Sequence, residues 1–436
     1  AVGAIANNLT ESQFGLAALC PRWNVSGSYQ QVIPRYVSTN RDGTDERELL
    51  NRCFPDMRTL ATAIFRKGYE WPFDSAKVRN FGSSLIDLLV YQEIALRGRR
   101  VFLDFTRDPT GDARLGPFSL DSLDPEPASY LRNSHALLPT PIQRLRALND
   151  PAYHFFLKHG IDLARDRLEI AVCAQHSNGG LVGNIWWESN VRHLFPIGEV
   201  NGSHGVRRPG GAALNAGQVG GLRAAMFISK RYAGPPPSPA EFARSVAGQV
   251  HGCVELVRRM LAGPARDGLT PEQVIGEIQD RMSACAGIVR DGRRVAAAAA
   301  AAWKLWRRLQ TKLAVGSPAI LPQAFVARDL CLTHATYLEA VKEYLERGGQ
   351  SRGSYVVLNP AGQAVGVELD EPWRFELARP DDFVSRNILE IWIDDSGEVR
   401  KRWVETRRIP EDSGWFENVW NDYRNDRIVR EEHAHE

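Results

Sequence analysis

The side chains best equipped for chemistry in this chain fall between Gln175 and Arg223. There the run Gln175-His176-Ser177-Asn178-Gly179-Gly180 is followed by Gly198-Glu199, then by His204-Gly205-Val206-Arg207-Arg208-Pro209-Gly210-Gly211 and an alanine-rich stretch. Imidazoles, an acid and two adjacent guanidiniums are set among glycines, which let a backbone approach a flat or phosphorylated ligand closely. A helix that begins just after such glycines presents free N–H groups and partial positive charge. Together these features describe a site for an anionic ligand.

The elements around the segment must position those groups. The apolar run 193–197 reads as a strand ending at Glu199, the glycines as a loop, and 216–230 as a helix. A strand, an acid at its end, a glycine-rich loop and a helix form a cradle for a nucleotide or flavin. Gly234 to Pro239, rich in proline, breaks the chain. Beyond it the sequence is strongly helical, with Pro239-Ala240-Glu241 opening one helix and Thr270-Pro271-Glu272-Gln273 another, the latter an N-cap with proline at the first helical position. Residues 296–302 are all alanine, and flanking Val295, Trp303 and Trp306 mark a tightly packed bundle helix rather than low-complexity sequence. From Gly353 onward short strands such as 388–393 read as a surface β-extension without chemistry.

Composition bounds the class. The chain has 436 residues, enough for two to four domains, and its 43% hydrophobic content is ample for cores. A net charge of +2 gives no reason to expect nucleic acid or an anionic membrane surface as a partner. Its six cysteines form no C-x-x-C pair, which argues for free thiols in a reducing, cytoplasmic setting and against a metal or iron–sulfur site. No apolar run reaches the ~18–20 residues of a membrane helix, so any membrane association is expected to be peripheral, through a partner.

In their order and spacing these residues resemble the flavoprotein subunits of fumarate reductase and succinate dehydrogenase, together with L-aspartate oxidase and related ene reductases. That family carries a histidine before two glycines, then G-E, then H-G-A-N-R-L-G-x-N-S-L opening a helix; here the matches are His176 before Gly179-Gly180, Gly198-Glu199, and His204 to Leu214. Gly98 to Asp104 resembles the family's G-x-x-V-Y-L-D strand after a helix at 86–94, Met282 to Arg293 resembles the opening of its helical domain, and Ser351-Arg352-Gly353 the S-R-G that closes it. The family's opening G-x-G-x-x-G unit, which holds the adenosine diphosphate half of FAD, has no counterpart here. The chain is therefore expected to be the carboxy-terminal part of a longer flavoprotein or one product of a split gene. Its expected partner is the missing amino-terminal FAD-binding segment or an upstream subunit.

The resemblance implies an α/β plus α fold: a partial FAD-binding Rossmann-like domain with an inserted α+β capping domain, a helical bundle and a β-rich extension. The expected boundaries are 1–20 for a remnant of the FAD domain, 21–150 for the cap, 151–233 for the rest of the FAD domain, 234–352 for the helical domain and 353–436 for the extension. It also implies FAD as cofactor, a small carboxylate substrate and an electron-transfer partner. Reducing a carbon–carbon double bond conjugated to a carboxylate needs a hydride, a proton and cations that hold the carboxylate. His176 and Arg208 match the family's carboxylate-binding pair. Glu199 and Gly198 match the acid on an FAD hydroxyl and its neighbour, Ala213 and Leu214 the backbone N–H groups at the flavin ring, and Phe14 the strand passing the flavin. His204, Tyr69 and Ser83 are further substrate-side candidates.

Departures from the family pattern matter, and one is Ala212 where the family commonly has asparagine. Where fumarate reductases place a proton-delivering arginine, this chain has Ser83 or Ser84, so Tyr69, Arg79 or another cap residue replaces it, or the substrate is not fumarate. Arg207 stands where the family has asparagine and either recognises another acidic group or faces solvent. Besides the fumarate reductase type, an adenylylsulfate-reductase-like or amino-acid-oxidising flavoprotein fits the motifs, as does a non-catalytic fragment unable to retain FAD.

Overall fold

The computed structural model describes residues 3–232, 234–262, 268–367, 369–371, 373–407, 411 and 413–429. Ala1, Val2 and residues 430–436, the outer ends of the expected first and last regions, lie outside them.

A six-stranded antiparallel sheet organises the first half. Its order is Arg22–Asn24, Ser12–Leu19, Leu168–Ser177, Arg100–Asp104, Arg35–Thr39 and Arg47–Glu48. Arg35–Thr39 is buried along its whole length, as a strand covered on both faces must be. Leu16, Val101, Leu103 and Ile170 from the sheet share one core with Leu60 and Ile64 of the helix Met57–Lys67, Leu85 and Leu88 of Leu85–Tyr91, and Leu145 and Phe156 of Pro141–Lys158. Each such side chain contributes about 1.5–3 kcal/mol by leaving water.

Local signals set the helix ends. Asp56 caps Met57–Lys67 by accepting from the Thr59 N–H at 2.8 Å. Thr140 and Gln143 form a capping box for Pro141–Lys158, which kinks at Asn149 just before Pro151, because proline removes an intrahelical donor and crowds the preceding turn. The strand Ser12–Leu19 ends in a turn at residues 20–21, and the kink at Asn149 falls beside position 150.

The helical region packs Pro271–Cys285, Gly292–Lys312 and Leu321–Glu346 together. Ala298, Ala299 and Ala302 sit against Ala335 and Leu338, so the alanine run is a close-approach face. Thr270 caps the first of these helices with Gln273, and Ser238 with Glu241 caps Pro239–Leu261. Among the described residues no helix is long and apolar enough to cross a membrane.

Three expectations need correction. The run 193–197 is not a strand: His193 has φ 68° and Pro196 offers no donor, so the chain turns. The helix expected at 216–230 spans Ala212–Arg231, because Gly211 at φ 79° takes the left-handed N-cap position and starts it earlier. The strand Asn387–Ile393 is no surface extension. It pairs with both Val399–Glu405 and Ala6–Asn7, and buries Leu389 and Ile391 against Leu9 and Ala340.

Beneath the sheet lies an ion pair out of water: Lys67 Nζ and Asp87 Oδ2 are 2.5 Å apart, with side chains 1% and 0% exposed. Burial pushes the Asp87 carboxyl up, and the Lys67 charge opposes that shift. Lys67→Met strands a carboxylate in the core and is expected to cost about 3–5 kcal/mol in urea unfolding, most of which Lys67→Met/Asp87→Leu restores.

Candidate functional site

His176 and Gln13 face each other across the strands Leu168–Ser177 and Ser12–Leu19, and the register shifts between Gln13 and Phe14. Such a bulge re-aims the side chains beside it. The next turn is held by Asn178, fully buried, whose Nδ2 donates to the Gly205 carbonyl at 2.9 Å. That bond brings the loop carrying His204, Arg207 and Arg208 back onto the strand end. Glu199 arrives from the short 3-10 turn Gly198–Val200, which Gly198 enters at φ 77°.

These groups converge on Arg208. Its Nε and Nη2 donate to Gln13 Oε1 at 3.2 and 3.1 Å, and its Nη1 donates to Glu199 Oε1 at 3.1 Å. The same Glu199 oxygen lies 3.2 Å from His176 Nδ1. The His176 and His204 rings are 5.6 Å apart, and each has a buried Nε2 without a hydrogen-bond partner. Burial, then the Arg208 charge, holds both imidazoles below the ordinary histidine value, against the pull of Glu199. Ligand atoms of His176, Glu199 and His204 lie within 4.8 Å of one another, a spacing a divalent ion spans. The fixed positive charge of Arg208 beside them opposes a second cation.

The segment Tyr69–Lys77 closes the other side. A cleft of about 200 Å³ is lined by Gln13, Trp71, Asp74, Lys77, Arg207 and Arg208, among others. The Trp71 indole lies over Gly15, where a Cβ would come within 2.2 Å of Nε1, so only glycine fits there. Phe14 ties the segment down: its carbonyl accepts from the Phe73 N–H at 2.8 Å, and Ser354 Oγ donates to the Phe73 carbonyl at 2.7 Å. Arg207 spans the cleft with a two-pronged contact, Nε and Nη2 to Asp74 at 2.9 and 3.0 Å.

Tyr69 reaches the rim, but its hydroxyl donates to Glu126; burial and that carboxylate push it up to about 12. Ser83 is buried behind Glu70 and donates to its Oε2 at 2.6 Å, while Lys77 Nζ is 3.3 Å from Glu70 Oε1. Arg79 turns away, donating to the Phe375 carbonyl and lying over its ring. Gln13, Glu70, Trp71, Asp74 and Lys77 were missed as site residues. The alternation of aromatic and acidic residues over 69–74 was the signal, since such a segment has one face to bury and one to charge.

Gly205 and Val206 separate this cleft from a second cavity of about 570 Å³, lined by Asn7, Asn8, Gly183, Asn201, Ser203 and Arg352, among others. The helix Ala212–Arg231 begins nearby in sequence with no side chain capping it, and Leu214 in its first turn is 76% exposed.

No protein-family model matches the chain. A fumarate reductase (CoM/CoB) polypeptide of Methanothermobacter marburgensis is 31% identical over 145 residues, covering 33% of this chain and 25% of that protein. An uncharacterized FAD-dependent oxidoreductase of Methanocaldococcus jannaschii is 43% identical over 67 residues, 15% of this chain and 12% of that one. Among solved structures, an E. coli quinol fumarate reductase flavoprotein aligns with a TM-score of 0.56 at 15% identity, over 94% of this chain and 61% of that one. An adenylylsulfate reductase of Archaeoglobus fulgidus aligns at 0.52 and 14%, over 94% and 61%. The matched region is thus a quarter or less of these curated relatives and about three fifths of the solved chains. Over the 145 residues that align, the chain is a homologue of that fumarate reductase polypeptide, and over most of its length it shares the fold of the solved fumarate reductase chain.

Proposed function

We propose that this chain forms the carboxylate-binding and flavin-facing part of an FAD-dependent oxidoreductase acting on a carbon–carbon bond next to a carboxylate. One observation carries the reading: a guanidinium locked in place beside a glycine-lined, uncapped helix start. Arginine has five N–H donors. Three of those on Arg208 are spent on Gln13 and Glu199, which leaves one N–H on each terminal nitrogen. Such a pair suits the two oxygens of a carboxylate.

The residues around the helix start fit FAD. A Cβ at Gly210, Gly211, Gly217 or Gly221 would meet nothing within 4 Å, so a flat ligand has room to approach the backbone. The 570 Å³ cavity offers amide and hydroxyl groups from Asn7, Asn201 and Ser203. Bound along the glycine loop and helix start, FAD would supply the donor or acceptor of hydride. Ala213 and Leu214 would meet its ring with backbone N–H groups, Gly198 and Glu199 its polar chain. Residues 1–20 and 151–233 make up the flavin-facing part and 21–150 the cap, with the six-stranded sheet shared between them. The remaining FAD contacts would come from a G-x-G-x-x-G segment or partner.

With its Nδ1–H directed at Glu199, a neutral His176 has no Nε2–H, so it donates to the substrate carboxylate only once protonated, a step the incoming anion favours, and His204 lies beside it. Lys77 Nζ, paired with Glu70 on the cleft wall, is the group we assign to deliver or take the proton, since Tyr69 is committed to Glu126 and Ser83 to Glu70.

Mixed with FAD and a G-x-G-x-x-G polypeptide, the chain should acquire flavin absorbance and reduce an enoate. Arg208→Gln should keep the flavin and lower kcat/KM about 10²–10³-fold. Failure to bind flavin in any mixture would reduce the chain to a non-catalytic fragment. Without ligand, NMR titration should show His176 and His204 protonating below 6.5, their ordinary value. Arg208→Gln should raise both midpoints, since it removes the nearby positive charge and frees Glu199 to attract the protons.

A further inference from the structure

The cleft beside Arg208 holds charges in a particular balance. Lys77, Arg207 and Arg208 line it together with Glu70 and Asp74. Two of the three cations are already answered inside the cleft, Arg207 by Asp74 and Lys77 by Glu70. Arg208 takes its acidic partner, Glu199, from outside the cleft wall and keeps two N–H groups to spare.

The Asp74 contact is hard to displace because Asp74 is itself fixed. Its N–H donates to Ser84 Oγ at 2.9 Å and its Oδ1 accepts from the Ala76 N–H at 3.0 Å, capping the short turn that follows. Arg207 alone would be weakly held, since its side chain is 61% exposed and an exposed ion pair is worth little. A tethered carboxylate in the right place, however, competes at high effective concentration with any carboxylate from solution. Trp71, Pro72, Phe73 and Val206 supply apolar surface to the rest of the wall.

Resting on the carboxylate-binding reading above, we propose that Asp74 occupies the place of a second substrate carboxylate and makes this cleft selective for monocarboxylates with an apolar body, against dicarboxylates. The carboxylate of such a ligand docks on Arg208 and its apolar body lies along Trp71, Pro72 and Val206. A second carboxylate at Arg207 meets the Asp74 charge, and leaving water without a partner is costly for it. Asp74 and Arg207 are thus specificity-determining residues, and the arginine that stands in place of the family's asparagine is there to hold Asp74.

Isothermal titration of the full chain with cinnamate and with fumarate tests this without any turnover. Cinnamate should bind at least tenfold more tightly than fumarate. Asp74→Asn, which keeps an N-capping side chain, should tighten fumarate at least tenfold and cinnamate threefold or less. Asp74→Ser guards against the asparagine carbonyl still engaging Arg207, and Asp74→Asn/Arg207→Asn should lose the fumarate gain, because the receiving guanidinium is gone. Equal affinity for the two acids, abolished by Arg208→Gln, would overturn the selectivity while leaving the carboxylate site standing. An unchanged ratio in Asp74→Asn and Asp74→Ser would do the same. Binding of neither acid would overturn both.

Discussion

Arg208 is a charge held at a strand end by three N–H contacts, and much of the site follows from satisfying it. A guanidinium taken partly out of water must be paired. Gln13 and Glu199 do this from two different parts of the chain, one on the strand Ser12–Leu19 and one on the turn Gly198–Val200. Meeting both demands draws the loop 202–211 onto the sheet. Asn178, bonded to the Gly205 carbonyl, holds it there. His176 is then neighbour to the same carboxylate that steadies Arg208, and its proton affinity falls through burial and the closeness of the arginine.

The segment Tyr69–Lys77 is joined to this centre through backbone. Phe14, whose strand also carries Gln13, accepts from Phe73 and so sets the height of Trp71 and Asp74 above Arg208. Ser354, following the Ser351-Arg352-Gly353 run, closes the same contact from below. Arg352 in turn donates to the buried Glu11 at 3.0 and 2.7 Å, two residues before Gln13. The segments holding Arg352, Phe73 and Arg208 thus meet around one short strand, and displacing that strand would move every wall of the cleft.

The two cavities divide the labour that the reading requires. The larger, with amides, hydroxyls and Arg352, borders the glycine loop; the smaller holds paired charges and aromatic rings. Val206 belongs to both walls, so a ligand in one lies within a side chain's thickness of the other. The hydride exchange proposed above would need that proximity, which comes from a loop only long enough to pass between them.

Spacing alone made His176, Glu199, Arg207 and Arg208 legible as a group, because glycines, a proline and a helix start leave few ways to arrange a loop between them. The helix caps at Thr270 and Ser238 and the packing role of the alanine run were likewise readable, since capping and small-residue close approach are local properties. The partners of the charged groups were not. Nothing in the order of residues says that Arg207 meets Asp74, 133 positions away, that the Tyr69 hydroxyl bonds to Glu126, or that Asn387–Ile393 lies beside Ala6–Asn7. Those pairings depend on which strands lie side by side and on which segments the apolar core pulls together. By itself the sequence determined the kinds of chemistry available and the loop that carries them. The tertiary structure decided which charge meets which, because electrostatic pairing is a property of distance in space and not of position along the chain.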